Sequence, residues 1–170
     1  GIQAFDRGAE GGDRPASRQP VWHKARGAKV IYHRPYNNTY TAGGETALTD
    51  GRRGGWDYGA GSAWQGFISR GRIDLTLDLG KVLDVRRVAM DFFQSAGPEI
   101  YLPSSFRIAA VDEAGQEREL VTRSETTVRH TLPSVETWGW QGEIRTRYLH
   151  IQANSGPLGG WLFTDEIIVE

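Results

Sequence analysis

The sequence predicts an all-β fold, an antiparallel β-sandwich of about eight strands. Three observations favour it: short runs of alternating apolar and polar residues, glycine- and proline-rich turns between them, and no helical period sustained over three turns. Sandwiches need such strands because alternate side chains enter the core between two layers. At 170 residues, the chain is long enough for one domain of this kind.

The predicted strands follow one another with turns between them. The clearest is residues 73–79, where four apolar side chains alternate with three polar ones, so that one face is buried and the other faces solvent. The other predicted strands are 29–33, 85–94, 106–110, 117–122, 126–132, 148–153 and 162–169. Residues 1–20 mix glycine, proline and charges without an apolar period, which predicts a linker or leader before a domain over residues 21–170.

Charge and composition exclude several classes of function. With 20 Lys and Arg against 21 Asp and Glu, the formal net charge is -1, so nucleic acid held by counterion release is not an expected partner. The absence of cysteine excludes disulfides, cysteine-bound zinc and a thiol nucleophile. No run approaches the roughly 18 apolar residues of a transmembrane helix, so no membrane span is expected.

No catalytic motif is recognisable. The chain has no dinucleotide-binding or phosphate-binding glycine loop and no serine nucleophile elbow. The four histidines, His23, His33, His130 and His150, are scattered without metal-ligand spacing, which favours surface or strand-face positions. Asp74 and Asp78 alternate on the predicted solvent face of a strand. We therefore expect no catalytic residues and no enzymatic activity in this domain.

Several segments resemble, in their order and spacing, the factor V/VIII type C (discoidin) domains. They are YTAGG through ALTDG (40–51), Tyr58, WQGF (64–67), 73–80, Phe93-Gln94, LPSSF (102–106), RYLHI (147–151) and WLFTDEI (161–167). The chain is similar in particular to the domains appended to bacterial family 20 β-N-acetylhexosaminidases, which are related to carbohydrate-binding module family 32. The resemblance covers about residues 32–170 and implies a galactose-binding-domain-like jelly roll with a sugar site in loops at one end.

Aromatic and amide side chains in the loops are the candidates for such a site. Apolar faces of pyranose rings stack on aromatic rings, while sugar hydroxyls pair with amides and guanidinium groups. The predicted carbohydrate-binding residues are Trp56, Tyr58, Trp64, Gln94, Asn154 and Trp161. For Trp64 and Trp161 the alternative is that each ring plugs the end of the sandwich. A second cluster, Trp138-Gly139-Trp140, is a binding patch if exposed and a corner plug if buried.

The resemblance also implies a structural calcium ion near the Asp50-Gly51 turn, with Glu166 as a second carboxylate. Calcium takes about six to eight oxygen ligands, and a glycine-rich turn can direct backbone carbonyls inward. Leu48 and Arg53 would contribute through their carbonyl oxygens. The alternative is that Asp50 makes only an Asx turn and Glu166 lies on a strand edge. Gly54-Gly55 stands where many relatives have a threonine, a departure that would remove one ligand.

Together these features predict a non-catalytic carbohydrate-binding accessory domain of an exported glycoside hydrolase, by resemblance a β-N-acetylhexosaminidase. Its partners would be a glycan or oligosaccharide and the parent catalytic domain, and its location periplasmic or extracellular in a bacterium. The alternative is a structural module that packs against the parent catalytic domain and buries the same aromatic rings without binding sugar.

Overall fold

The computed structural model describes residues 17–68, 72–125, 132–156 and 159–170. The described residues form nine β-strands, with one 3-10 helix (Ala47–Thr49) between the second and third: β1 (Ser17–Arg18), β2 (Lys29–Tyr32), β3 (Arg53–Gly54), β4 (Gln65–Phe67), β5 (Ile73–Gln94), β6 (Ser105–Val111), β7 (Glu117–Ser124), β8 (Ser134–Asn154) and β9 (Leu162–Val169). These strands pair antiparallel throughout, which confirms the predicted fold class. Within the described ranges, no helix is long and apolar enough to cross a membrane.

Two long strands, β5 with 22 residues and β8 with 21, form the centre of the fold. Their pairing slips between Asp78 and Leu83, where Gly80 has a φ of 85° that favours glycine. The first half of β5 pairs with β2, whereas its second half pairs with β9. Each long strand therefore bends at this corner and contributes one half to each layer of the sandwich.

One layer contains β2, the first half of β5, the second half of β8, β6 and β7. The other contains the remaining halves of β5 and β8 with β9 and β4, and the short β1–β3 pair is a separate sheet. The main core lies between the layers. In its centre Leu75 pairs with Ile151 and Leu77 with Leu149, and all four side chains are fully buried. Each such side chain contributes about 1.5–3 kcal/mol by burial.

Two long strands replace some of the predicted short ones. Residues 73–79 and 85–94, predicted as separate strands, are halves of β5, and the predicted strand 148–153 is only the second half of β8. Of the predicted strand 126–132, residues 126–131 lie outside the described ranges.

Two residues that precede the predicted boundary at residue 21 contact the rest of the described chain. Ser17 and Arg18, assigned to the leader by sequence, form β1 and pair with β3. The Arg18 guanidinium lies 2.5 Å from Asp91 Oδ2 and 3.0 Å from Asp165 Oδ2, and both carboxylates are buried. These contacts of Arg18 are long-range ion pairs, which leave no apolar period in the sequence. Residues 1–16 of the predicted leader lie outside the described residues.

Candidate functional site

A second group of buried side chains lies at one end of the sandwich, apart from the main core. It includes Trp64 before β4, Phe93 near the end of β5 and Phe163 near the start of β9, together with Ile100 and Val135. Four half-buried rings pack against it: Tyr40, Trp56, Tyr58 and Trp161. We call these nine residues the end cluster.

Phe93 and Phe163 organise the rings of the end cluster. The ring centre of Phe93 lies 6.1 Å from that of Trp56 and 5.5 Å from that of Tyr58. Tyr58 also contacts Phe163, at 6.0 Å, and Phe163 lies 5.6 Å from Trp161. These are ordinary distances for attractive aromatic pairs. Two loops far apart in sequence, one carrying Trp56 and Tyr58 and the other Trp161, are thereby joined at one surface.

Trp64 has the role of a plug, one of the two alternatives considered for it. Its side chain is fully buried, and its indole N–H donates to the Gly55 carbonyl oxygen at 2.8 Å. A Cβ atom at Gly54 would lie 2.1 Å from the Trp64 ring, so only glycine allows the backbone to pass at this point. Trp64 therefore supports the outer rings from below and offers no free face for stacking.

Trp161 keeps part of its surface open and is held by backbone bonds. Its N–H donates to the Glu99 carbonyl at 2.9 Å, and its carbonyl accepts from the Tyr101 N–H at 3.0 Å. Its ring meets Tyr40 edge-on at 5.1 Å. The loop after β5 thus fixes the position of Trp161, which remains a candidate sugar contact.

The two predicted amide groups have different surroundings. Gln94 is fully buried; its Oε1 accepts from the Leu102 N–H at 3.4 Å, and its Nε2 has no partner among the described residues. Asn154 is half-buried; its Nδ2 donates to Ser105 Oγ at 2.6 Å and its Oδ1 accepts from the Gly156 N–H at 3.1 Å. Both amides therefore hold the loops beside Trp161 in shape instead of projecting into solvent.

A groove of about 250 Å³ opens next to the end cluster. It is connected to Tyr40 by a turn in which the Tyr40 N–H donates to the Asn37 carbonyl at 3.2 Å. Its lining offers a phenol ring, amides and guanidinium groups: Arg34, Pro35, Tyr36, Asn37, Asn38, Ile68 and Arg72. An aromatic ring and polar side chains therefore lie side by side in this groove, which the sequence patterns did not indicate.

The Trp138-Gly139-Trp140 cluster is a buried corner. Trp138 is 1% exposed and Trp140 7%, and the Arg123 guanidinium lies 3.6 Å from the centre of the Trp138 ring. A Cβ atom at Gly139 would lie 2.0 Å from the Val88 carbonyl oxygen, so this position also requires glycine. Of the two alternatives given by the sequence, the structure therefore favours the plug.

Two buried aspartates, Asp91 and Asp165, lie beneath β3, and arginine side chains form ion pairs with both. Asp91 contacts Arg18, Arg53 and the Thr137 hydroxyl, and Asp165 accepts from the Gly54 N–H at 2.8 Å. Burial would raise the pKa of Asp91, but the two arginines outweigh it and lower that pKa. Burial, assisted by the charge of Asp91, raises the pKa of Asp165 to about 7. The Arg53 side chain is thus part of a structural ion network.

The predicted calcium turn brings its two carboxylates together. Glu166 is fully buried; its Oε2 accepts from the Gly51 N–H at 2.7 Å and lies 2.6 Å from His23 Nε2, and its Oε1 has no partner among the described residues. Burial, followed by repulsion from Asp50 and Asp165, raises the pKa of Glu166 to about 9.

Asp50 shows features of both a calcium ligand and an Asx turn, the two alternatives considered for it. Its Oδ1 accepts from the Arg52 N–H at 2.8 Å, which is the Asx turn, while burial raises its pKa. A bound cation would give a partner to Glu166 Oε1, which has none among the described residues, and would stabilise the charged forms of two carboxylates whose pKa values are raised. The residues therefore fit calcium. The carbonyl ligands predicted at Leu48 and Arg53 remain predictions.

Comparison with known proteins gives matches at the level of structure. No family model matches the chain, and no curated protein matches its sequence. Among solved structures, it is similar to chitosan-binding module 1 of a chitosanase/glucanase from Paenibacillus sp. IK-5, with a TM-score of 0.56 and 14% identity over 88% of this chain and 99% of the module.

Two modules of Clostridium perfringens are also similar. One is CpGH89CBM32-6, with a TM-score of 0.53 and 15% identity over 84% of this chain and 92% of the module. The other is the family 32 carbohydrate-binding module of NanJ, solved with galactose, with a TM-score of 0.51 and 18% identity over 84% of this chain and 90% of the module. The chain therefore has the β-sandwich fold of these carbohydrate-binding modules along nearly their whole length.

Two groups at this end of the fold were missed by the sequence analysis as site residues. Tyr40 bridges Trp161 and Phe163, and Tyr36 and Asn38 line the adjacent groove. All three lie between β2 and β4, in the same part of the chain as Trp56, so the available signal was a ring or amide in that region.

Proposed function

We propose that this chain is a non-catalytic carbohydrate-binding domain whose site is the outer surface of the end cluster. The observation that carries the proposal is the convergence of four half-buried rings, Tyr40, Trp56, Tyr58 and Trp161, over a buried aromatic base. Half-buried rings keep exposed surface on which a pyranose can stack, and their buried neighbours hold them in place. The fold shared with carbohydrate-binding modules supports this interpretation.

In this proposal the six predicted residues divide into contacts and supports. Trp56, Tyr58 and Trp161 contact the sugar, and Trp64, Gln94 and Asn154 position them. Tyr40 joins the contacts, and the amide of the exposed Asn38 supplies hydrogen bonds from the adjacent groove. Because the site is shallow and gains few hydrogen bonds, single-site affinity should be weak.

We also propose that the domain is an accessory part of an exported bacterial glycoside hydrolase, by resemblance a β-N-acetylhexosaminidase, and that it acts in the periplasm or outside the cell. Two observations support the accessory role: the sequence resemblance to appended domains, and the similarity to a module of a chitosanase/glucanase. Attachment to a parent enzyme would offset weak single-site binding through avidity.

Titration of the domain with galactosides, N-acetylhexosaminides and polysaccharides tests the proposal. Trp161→Ala should reduce affinity at least about tenfold, because a hot-spot ring of this kind contributes about 2 kcal/mol. Trp22→Ala is the matched control: Trp22 is 80% exposed, and its ring centre lies 3.9 Å from the Arg26 guanidinium carbon. A flat response of the wild-type domain to every glycan would contradict the proposal.

The structural alternative makes a different prediction for the same variants. If the outer rings only pack against a parent catalytic domain, Trp56→Ala and Trp161→Ala should lower the stability of the parent enzyme and leave glycan binding absent in both wild type and variants.

We propose calcium as a structural ligand of the Asp50 turn, held by Asp50 and Glu166 with carbonyls at Leu48 and Arg53. The buried Oε1 of Glu166, which has no partner in the part of the chain that the structure describes, supports this. The ion would take the place of the proton that Glu166 holds in the folded state, and its charge would stabilise two ionised carboxylates side by side. A rise in the melting temperature with added calcium, abolished in Asp50→Asn, is the expected result; identical melting in calcium and in a chelator would contradict it.

A further inference from the structure

Three chemically complementary side chains meet on the outer face of one layer, and none of them belongs to the end cluster or to the Asp50 turn. His33 follows β2, Asp74 lies in β5 and His150 lies in β8. Since β2 pairs with β5 and β5 with β8, the three positions are neighbours across the sheet. One ligand atom from each lies within 4.8 Å of the other two.

The backbone fixes this arrangement before any ligand binds. The His33 N–H donates to the Asp74 carbonyl at 2.8 Å, and His150 is paired with Thr76 in the β5–β8 ladder. The rings of His33 and His150 are 5.7 Å apart and nearly perpendicular. Bringing the three ligand atoms onto one ion therefore requires side-chain rotation only.

His150 is held in an orientation suited to a metal. Its Nε2 lies 2.7 Å from Asp74 Oδ1, and its Nδ1 lies 2.7 Å from Glu117 Oε2. Glu117 is in turn fixed by the Arg107 guanidinium at 2.8 Å. A carboxylate that accepts from the far ring nitrogen is the usual support of a metal-bound histidine, because it sets the tautomer and the ring orientation.

We propose that His33, Asp74 and His150 bind a divalent transition-metal ion, with zinc as the representative, and that Glu117 positions His150. Two imidazole nitrogens and one carboxylate oxygen suit zinc, which binds such ligands at about 2.0–2.2 Å. His33 is exposed and its Nε2 lies 2.8 Å from Thr76 Oγ1, so it turns from that hydroxyl to the ion. A fourth position then remains open to water on the solvent side.

Isothermal titration of tag-free protein with zinc chloride tests the proposal. The buffer contains saturating calcium, so that the Asp50 turn does not compete. We expect one zinc ion per chain, with affinity reduced at least about tenfold in each of His33→Gln, His150→Gln and Asp74→Asn. Glu117→Gln should weaken binding by about 10- to 100-fold, as loss of a supporting carboxylate does.

Asp84→Asn is the matched control, because Asp84 is another exposed strand carboxylate, paired with Arg145 at 2.9 Å. It should bind zinc like the wild type. The proposal would be overturned if the wild-type protein bound zinc no more tightly than the His33→Gln/His150→Gln double variant.

A second measurement does not depend on variant folding. Cobalt(II) added to wild-type protein should broaden NMR amide signals around residues 33, 74 and 150. Broadening centred on other parts of the chain, or none, would also overturn the assignment. Neither result depends on sugar binding, so the two proposals fail separately.

Discussion

The end cluster and the Trp138-Gly139-Trp140 corner use the same residue types in opposite ways. At the corner, both tryptophans are almost fully buried and Arg123 covers one of them. In the end cluster, a buried base of Trp64, Phe93 and Phe163 carries an outer set of half-buried rings. The difference shows that tryptophan content does not by itself indicate a binding surface; rings must be both supported and left partly open.

The largest expected effect is a loss of stability when a ring of the Trp138-Gly139-Trp140 corner is removed, and it would sharpen this comparison. Trp138→Ala should lower the free energy of unfolding by about 3–5 kcal/mol, because it leaves a large cavity in the core. Sugar affinity of the remaining folded protein should be unchanged. Urea denaturation and glycan titration measure the two quantities, and a selective loss of sugar binding in this variant would reverse the roles assigned to the two regions.

A smaller loss is expected at the ion network below the end cluster. Arg18→Ala should lower the free energy of unfolding by about 2–4 kcal/mol, because Asp165 loses its closest cation while remaining buried. Urea denaturation beside the exposed control Arg145→Ala, which should show no measurable loss, checks this. Equal stability of Arg18→Ala and wild type would show that β1 is not part of the domain's stable structure.

The raised pKa of Glu166 predicts that the free energy of unfolding depends on pH in a buffer that contains a chelator. Its pKa is about 9 in the folded state, against an ordinary value of 4.5, so between these values the folded state holds a proton that the unfolded state has lost. Stability should therefore fall as pH rises, by up to about 1.4 kcal/mol per pH unit.

The clearest window for this effect is pH 7 to 9. The pKa of His23, lowered to about 4 by burial and by Arg26, acts in the opposite direction only below its ordinary value of 6.5. Thermal or urea unfolding at several pH values measures the slope, and Glu166→Gln is the control that should flatten it. An equal slope in that variant would assign the effect to another group.

The outer rings should show the smallest effect on stability and the largest on binding. Trp161→Ala removes a half-buried ring from the edge of the end cluster, so we expect a stability loss below about 1.5 kcal/mol together with the affinity loss given above. Thermal denaturation measured beside the titration separates the two quantities. A stability loss as large as that of Trp138→Ala would mean that Trp161 belongs to the core.

Alternation predicted the strands with one solvent-facing side, such as residues 73–79, because polar and apolar positions there correspond to the two faces. It failed for residues 134–140, which are all buried although Ser134, Glu136 and Thr137 are polar, so polarity there does not mark a face turned to solvent. Sequence also located the rings at residues 56, 58, 64 and 161. It could not distinguish Trp64 from Trp161 in exposure, because that depends on how Gly54 and Phe163 pack against them.

The histidine cluster shows a different limit. His33, Asp74 and His150 are separated by long stretches of chain, and only the pairing of β2, β5 and β8 brings them together. Spacing along the sequence favoured isolated strand-face positions. Such a site becomes visible once strand register is known, because a shift of one residue would move each side chain to the opposite face.

The most direct test of the central claim is an NMR titration of the wild-type domain with a panel of glycans, following every backbone amide. The account predicts that at least one glycan shifts amides around residues 36–40, 56–58 and 159–161 together, with no comparable shifts at residues 138–140. Shifts confined to the Trp138–Trp140 corner, or no shifts with any glycan, would contradict it.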